Sequence, residues 1–274
     1  MEDAEMTDWI TAEPYLRAGA PAVLFLLMAV WEWRRPARAR VLSRGYRWRH
    51  NLLLVTLNSS LVRFVMPVAP VAVALYSQQQ QSGMFHVLDL PFAVSCALTL
   101  IMLDFVLYWQ HRMLHRIPLL WRLHRMHHAD HDVDVSTGLR FHPLEIMLSL
   151  LIKVLVVWLL GAPVEAVIIF EVVLSAMAIF NHANVAVPQP FERWLRWLVV
   201  TPDMHRIHHA LNLQETHSNF GFNLSCWDRW LGSYRPVART PFRIGVYGLM
   251  RRREQRIDRL LTQPFRYLPD ERGH

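Results

Sequence analysis

Hydrophobic residues gather into five long stretches, at residues 16–33, 52–76, 91–109, 144–160 and 163–180, separated by polar segments. A helix needs about 20 mostly apolar residues to cross a hydrocarbon core about 30 Å thick. Each stretch therefore predicts a helix at or near spanning length. Pro67 and Pro70 interrupt the second, which predicts a kink or an early exit toward the interface. Gly161, Ala162 and Pro163 leave too little chain between the last two for anything except a tight helical hairpin. The first stretch follows Glu2, Asp3, Glu5, Asp8 and Glu13 and precedes a run of arginines. That order is the reverse of a secretory signal, so it reads as a retained anchor. The pattern predicts an all-α integral membrane bundle of about three spanning helices plus a helical hairpin. Its rival is a soluble helical bundle with the hairpin buried.

Composition favours the membrane. The chain is 53% hydrophobic and only 19% charged over 274 residues, too apolar for an ordinary soluble protein of this size. Its formal net charge of +7 is matched by one segment: Arg34, Arg35, Arg38, Arg40, Arg44, Arg47 and Arg49, with no acid among them. A basic run abutting an apolar span is the positive-inside signature and places that segment in the cytoplasm. No basic face or motif of a nucleic-acid-binding domain accompanies it, so no nucleic-acid partner is expected. With the arginines inside, the spans run out-to-in, in-to-out and out-to-in, and the hairpin dips and returns. Every histidine cluster then falls on the cytoplasmic side. Residues 188–200, with Trp194 and Trp197 beside Arg193 and Arg196, read as a short interfacial helix. The domain expectation is one membrane-embedded unit over 1–274, with spans in 1–110, a histidine-rich catalytic region in 111–240 and a cytoplasmic tail in 241–274.

The chemistry lies in the histidines. Twelve of the fifteen fall between His111 and His217, while Cys96 and Cys226 stand far apart and offer no thiolate metal site. His111 and His115 are one helical turn apart. His124, His127 and His128 form an i, i+3, i+4 set, and His205, His208 and His209 repeat it. Eight imidazoles exceed the three or four protein ligands of a zinc site, so two metals are implied. His182 ends the fifth stretch and His142 precedes the fourth, and both are further candidate ligands. His131 and His217 read as solvated loop residues. His50, His86 and His274 are assigned no role. Asp104 shares a helical stripe with Tyr108, His111 and His115, two turns from His111, and is placed to reach a ligand on a neighbouring helix. Imidazole suits iron, zinc and copper alike, so ligand type does not name the metal.

The order HRMLH, HRMHH, RFHPLE, NHAN, HRIHH and NFGFNLSCWDRWLGSY resembles the fatty acid hydroxylase / sterol desaturase superfamily of membrane di-metal oxygenases, over roughly residues 104–234. By position, His111, His115, His124, His127, His128, His205, His208 and His209 match the superfamily's boxes, and His142 and His182 match histidines found in many members. The resemblance implies two iron ions, O2, electrons from a separate donor protein, and oxidation of an unactivated C–H bond in a sterol, fatty acyl or other lipid. Zinc can replace iron in purified protein, since nitrogen sites favour zinc over ferrous iron. The expected activity is oxygen-dependent lipid hydroxylation or desaturation, with no catalytic residue named beyond the metal ligands. Its rivals are a di-zinc hydrolase or isomerase on the same scaffold, and a non-enzymatic membrane metal-binding or transport protein. Lys153 and Glu171 lie at equal distance from Ala162 along the two arms of the hairpin, so they are expected to pair across it.

Overall fold

A computed structural model of the protein describes residues 2–65, 70–239 and 242–268. Pro67 and His274 lie outside the described residues. The long elements follow the apolar stretches: α1 (Glu2–Arg34), α2 (Arg44–Val65), α3 (Pro70–Gln79), the short α4 (Met84–Val87), α5 (Phe92–Arg116), α7 (Pro143–Leu160) and α8 (Val164–His182). Between and after them come α6 (Pro118–His128), α9 (Gln189–Leu198), α10 (Pro202–His208), α11 (Leu213–Thr216), α12 (Cys226–Trp230) and α13 (Ile257–Thr262). Extended structure among the described residues is limited to isolated bridges such as Pro36 with Val185 and Val199 with Leu224.

Five stretches are long and apolar enough to cross a membrane, the second of which includes residues outside the described ones: Tyr15–Arg34, Arg44–Val87, Phe92–Arg116, Pro143–Leu160 and Val164–His182. Their outward faces carry Leu26, Leu27 and Val30 on α1 and Leu151, Leu155, Trp158 and Leu159 on α7, all exposed. Apolar surface of this extent calls for lipid as its solvent. α8 sits at the centre, packed by α1, α3, α5 and α10. Its first half shares a core with α7, where Val157, Leu160, Val164, Val167, Ile168 and Phe170 meet Ala74, Phe85 and Leu103. The hairpin closes on Gly161, which caps α7 in the left-handed region at φ +65°. A Cβ there would stand 2.3 Å from the Ser82 carbonyl oxygen, so glycine is required by the close approach as well as by the dihedral. The segment between residues 188 and 200 forms α9 as expected, with Phe191, Trp194, Trp197 and Leu198 exposed along one side.

Across the hairpin, Lys153 Nζ meets Glu171 Oε1 at 2.8 Å. Arg17 of α1 approaches the other carboxylate oxygen, Nε to Oε2 at 3.0 Å. One carboxylate thus answers two cations in an apolar setting, so its loss strands both, whereas loss of Lys153 leaves Glu171 beside Arg17. Glu171→Gln is expected to destabilise the protein by about 3 kcal/mol and Lys153→Met by less, with the double variant no worse than Glu171→Gln alone. Denaturation midpoints in detergent micelles for the three variants check the order.

Candidate metal centre

The histidines arrive at one end of the bundle from four helices. α5 delivers His111 and His115 in its last two turns, and α8 delivers His182 as its final residue. Pro118 opens α6 directly after α5, with its fixed φ suited to the first helical turn, and α6 carries His124, His127 and His128. Thr201 caps α10, accepting from the Met204 N–H, and α10 presents His205 and His208, with His209 at its C-cap.

These side chains sort into two buried groups: His111, His115, His124, His128 and His208 in one, His127, His182, His205 and His209 in the other, with the candidate ligand atoms of each group within 4.8 Å of one another. Each triplet is divided between them. On α6 the i and i+4 residues, His124 and His128, go to the first group and the i+3 residue, His127, to the second. On α10 the i and i+4 residues, His205 and His209, go to the second and His208 to the first. The division follows from helix geometry, because residues i+3 and i+4 differ in azimuth by about 100°.

Outer hydrogen bonds orient the rings. The Nδ1–H of His124 donates to Glu145 Oε1 at 2.7 Å, that of His111 to the Phe220 carbonyl at 2.8 Å and that of His208 to the Ser218 carbonyl at 2.8 Å. His127 donates to the Arg140 carbonyl at 3.0 Å and His182 to the Ala178 carbonyl at 2.6 Å. With Nδ1 as donor, Nε2 carries a lone pair. Such lone pairs face each other in His111 and His124 at 3.2 Å and in His127 and His182 at 3.0 Å, and His205 Nε2 stands 2.8 Å from that of His182. Nε2 of His208 and both ring nitrogens of His115 and His128 have no hydrogen-bond partner despite burial. Converging lone pairs repel unless a cation lies between them. Metal–nitrogen bonds of 2.0–2.1 Å in a tetrahedral site put the nitrogens about 3.3 Å apart, close to the spacing found here. Burial first, then neighbouring imidazoles, hold His127, His128, His205, His208 and His209 well below the usual imidazole range. They are neutral at physiological pH, the form a metal requires. The residues therefore fit two metal ions.

His142 stands apart from both groups. It is the N-cap of α7, where its Nδ1 accepts from the Leu144 N–H at 3.2 Å and its Nε2 faces the Leu261 carbonyl at 3.3 Å. His131, expected in solvent, is buried and meets the Leu249 carbonyl at 3.1 Å and Gln255 at 3.2 Å. His217 is half-buried, edge-on to His115 with ring centroids 5.8 Å apart. Both sit inside the packing around the centre because the C-terminal segment and α11 fold back over it. Asp104 touches no histidine. It accepts from the backbone N–H groups of Asn223 and Leu224 and from Trp227 Nε1 at 2.8 Å, while Asp228 accepts from the Phe220 and Gly221 N–H groups. Together they fix the loop whose Phe220 carbonyl holds His111.

Two supports have only partial signals in the chain. Glu145 is the acid of RFHPLE, legible as a motif but not as the partner of His124. Arg47, fully buried, donates to Asp130 at 2.7 and 2.6 Å and to Asp134 at 2.5 Å. Burial opposes ionisation of Asp130, but Arg47 and Arg140 hold its carboxyl well below the usual carboxylate range. The buried triad clamps the loop after His128.

The sequence profile of the fatty acid hydroxylase family matches residues 96–233, about half of the chain, and that match contains the residues that build this centre. The chain belongs to the fatty acid hydroxylase family. Among curated relatives, an ornithine lipid hydroxylase of Rhizobium tropici is 31% identical over 183 residues, covering 65% of this chain and 54% of that protein. The alkylglycerol monooxygenases of Xenopus tropicalis and Homo sapiens are each 29% identical, over 51% and 48% of this chain and 30% and 28% of their own lengths. The match thus spans about half or less of these relatives. No solved structure matches the chain. The chain thus combines membership of this family with several helices long and apolar enough to cross a membrane.

His128→Ala or His209→Ala is expected to lower bound metal with the helical content retained. His142→Ala is expected to keep the metal and lose about 1 kcal/mol of stability through its cap. Metal analysis beside circular dichroism melting separates the two outcomes.

Proposed function

We propose that the protein is an O2-dependent lipid hydroxylase of the cytoplasmic leaflet, holding two iron ions on His111, His115, His124, His128 and His208 and on His127, His182, His205 and His209. The observation that carries the reading is that both histidine groups open on one apolar cavity. Its volume is about 580 Å³, and His111, His124, His127 and His205 line it together with Leu103, Leu107, Leu114, Leu150, Phe170 and Leu174. That size and lining suit a lipid chain.

Iron would supply the redox chemistry that inserts one atom of O2 into a C–H bond, with the second atom leaving as water after two electrons and two protons arrive. The protein's own residues do the rest. The outer hydrogen bonds hold the imidazoles in register before substrate binds. Leucine walls exclude water from the reacting carbon and orient the chain along the cavity. Phe141 stacks on His127 at a 4.5 Å centroid distance and forms part of the cavity wall. The relatives act, by name, on ornithine lipid and alkylglycerol, which favours hydroxylation over desaturation and an amphipathic lipid as substrate. Electrons come from a separate donor protein. The orientation rests on the arginine run, whose Val41 and Leu42 N–H groups and Arg47 side chain bind Asp132 and Asp130 in the histidine loop. The arginines and the centre therefore share one side, and positive-inside bias makes it the cytoplasm.

Iron-reconstituted protein with reductant and ¹⁸O2 is expected to add one labelled oxygen to a lipid of its host membrane, read by mass spectrometry. Turnover without O2 or reductant would overturn the proposal in favour of hydrolysis. Leu150→Trp, which fills the cavity away from the histidines, is expected to cut product formation about tenfold or more through lost chain placement with metal content unchanged.

A further inference from the structure

A second cavity, of about 530 Å³, opens on the arginine-bearing side of the molecule and is lined by Tyr46, Arg49, His50, Arg252, Arg253 and Arg256. Four guanidinium groups converge there, and no carboxylate is among the lining residues. Arg253 and Arg256 are partly neutralised by Glu254 at 3.4 Å and Asp258 at 3.0 Å. Arg49 and Arg252 have no carboxylate partner among the described residues. They lie instead over the Tyr46 ring, at 5.9 and 4.4 Å from its centroid. The Tyr46 hydroxyl donates to the Arg252 carbonyl at 3.2 Å and ties the two walls together. His50 lines the pocket at 8% exposure, and neither of its ring nitrogens has a partner. A buried polar side chain left without a hydrogen bond is costly, and a pocket with excess positive charge attracts an anion.

The depth of the pocket points to its occupant. Arg49 lies in the second turn of α2, and the exposed residues Leu52, Leu53 and Leu57 begin within a turn of it. The cavity therefore sits where apolar surface gives way to charge, the level of lipid headgroups. Guanidinium pairs bind phosphate oxygens in a forked geometry, and basic pockets beside spanning helices on the cytoplasmic side suit anionic headgroups. We propose that this pocket binds the phosphate of an anionic phospholipid from the surrounding leaflet. The site is separate from the cavity that opens on the histidines.

The turn that carries Arg252 and Arg253 also carries Gln255, whose Nε2 donates to the Ala129 carbonyl at 2.8 Å and whose Oε1 accepts from Arg140 at 2.5 Å. Ala129 follows His128, and the Arg140 carbonyl holds His127. A lipid that fixes this turn thus steadies the wall behind both histidine groups, and binding should raise the melting temperature.

Native mass spectrometry of the detergent-purified full chain, offered equimolar phosphatidylglycerol and phosphatidylcholine, tests the site. The expected result is one phosphatidylglycerol retained in preference to phosphatidylcholine. Arg49→Gln with Arg252→Gln should lower that retention about tenfold or more, and His50→Leu should lower it severalfold, each with unchanged helical content. Arg193→Gln, on the exposed side of α9, should leave it unaltered. Equal retention of the two lipids, or an equal loss in Arg193→Gln, would overturn the proposal as non-specific attraction. If millimolar inorganic phosphate raises the melting temperature through these arginines while phosphatidylglycerol does not, the occupant is free phosphate and the lipid assignment falls. It falls equally if the double variant keeps its lipid but loses reduction by an acidic carrier protein.

Discussion

Nine buried imidazoles converge on two points inside the protein, and the surrounding structure is organised to hold them there. Such a cluster cannot readily relieve its crowding by taking up protons, because burial and neighbouring imidazoles disfavour the imidazolium at His127, His128, His205, His208 and His209. It needs metal, and it needs rigid support for each ring. Carbonyls of Phe220, Ser218, Arg140 and Ala178 and the carboxylate of Glu145 provide that support at Nδ1. Asp104 and Asp228 then fix the Phe220 loop, and Arg140 is itself buried against Gln255. Groups far from any metal in sequence thus act on it through one intervening backbone atom.

Polar density of this kind explains the division of the molecule into two ends. The hairpin end of α7 and α8 is packed by aliphatic side chains, with the buried Glu171 answered by the less buried Lys153 and the exposed Arg17. The histidine end is the reverse, with Arg47, Asp130, Asp134 and Glu32 buried among hydrogen bonds. Glu32, from the last turn of α1, accepts from the Val135 and Asn184 N–H groups at 2.9 and 2.7 Å. It thereby pins the segments that follow His128 and His182 to the same helix. A buried acid is tolerable only where such donors converge, and here they come from the irregular loops that need fixing. The cavity runs between the two ends, with Lys153 and Glu171 lining it toward one and His111, His124, His127 and His205 toward the other.

Local periodicity and hydropathy carried much of this protein into view. The five long apolar stretches, the hairpin at Gly161, the short helix α9 and the Lys153–Glu171 pair all follow from patterns within a few turns of helix, or from reflection about a single tight turn. Two metal-sized groups follow from the number and spacing of histidines. The order of the histidine motifs was enough to identify the family, since each motif is a local arrangement on one element.

What the chain alone did not decide is everything that depends on how those elements cross. An HRMHH helix read by itself shows three imidazoles on one side, but α6 and α10 meet so that each sends its i and i+4 residues to one centre and its i+3 residue to the other. His142 has the same local context as a ligand, yet the start of α7 turns it toward its own backbone. His131 looked solvated until the C-terminal turn at Gln255 covered it. Arg47 belongs to a run read from the sequence for its topology, but its contact with Asp130, 83 residues away, makes it a structural cation. The physical reason is common to all four. Helical spacing constrains neighbours within about one turn, whereas ligand sorting, burial and charge pairing are set by contacts between distant segments that only tertiary packing brings together.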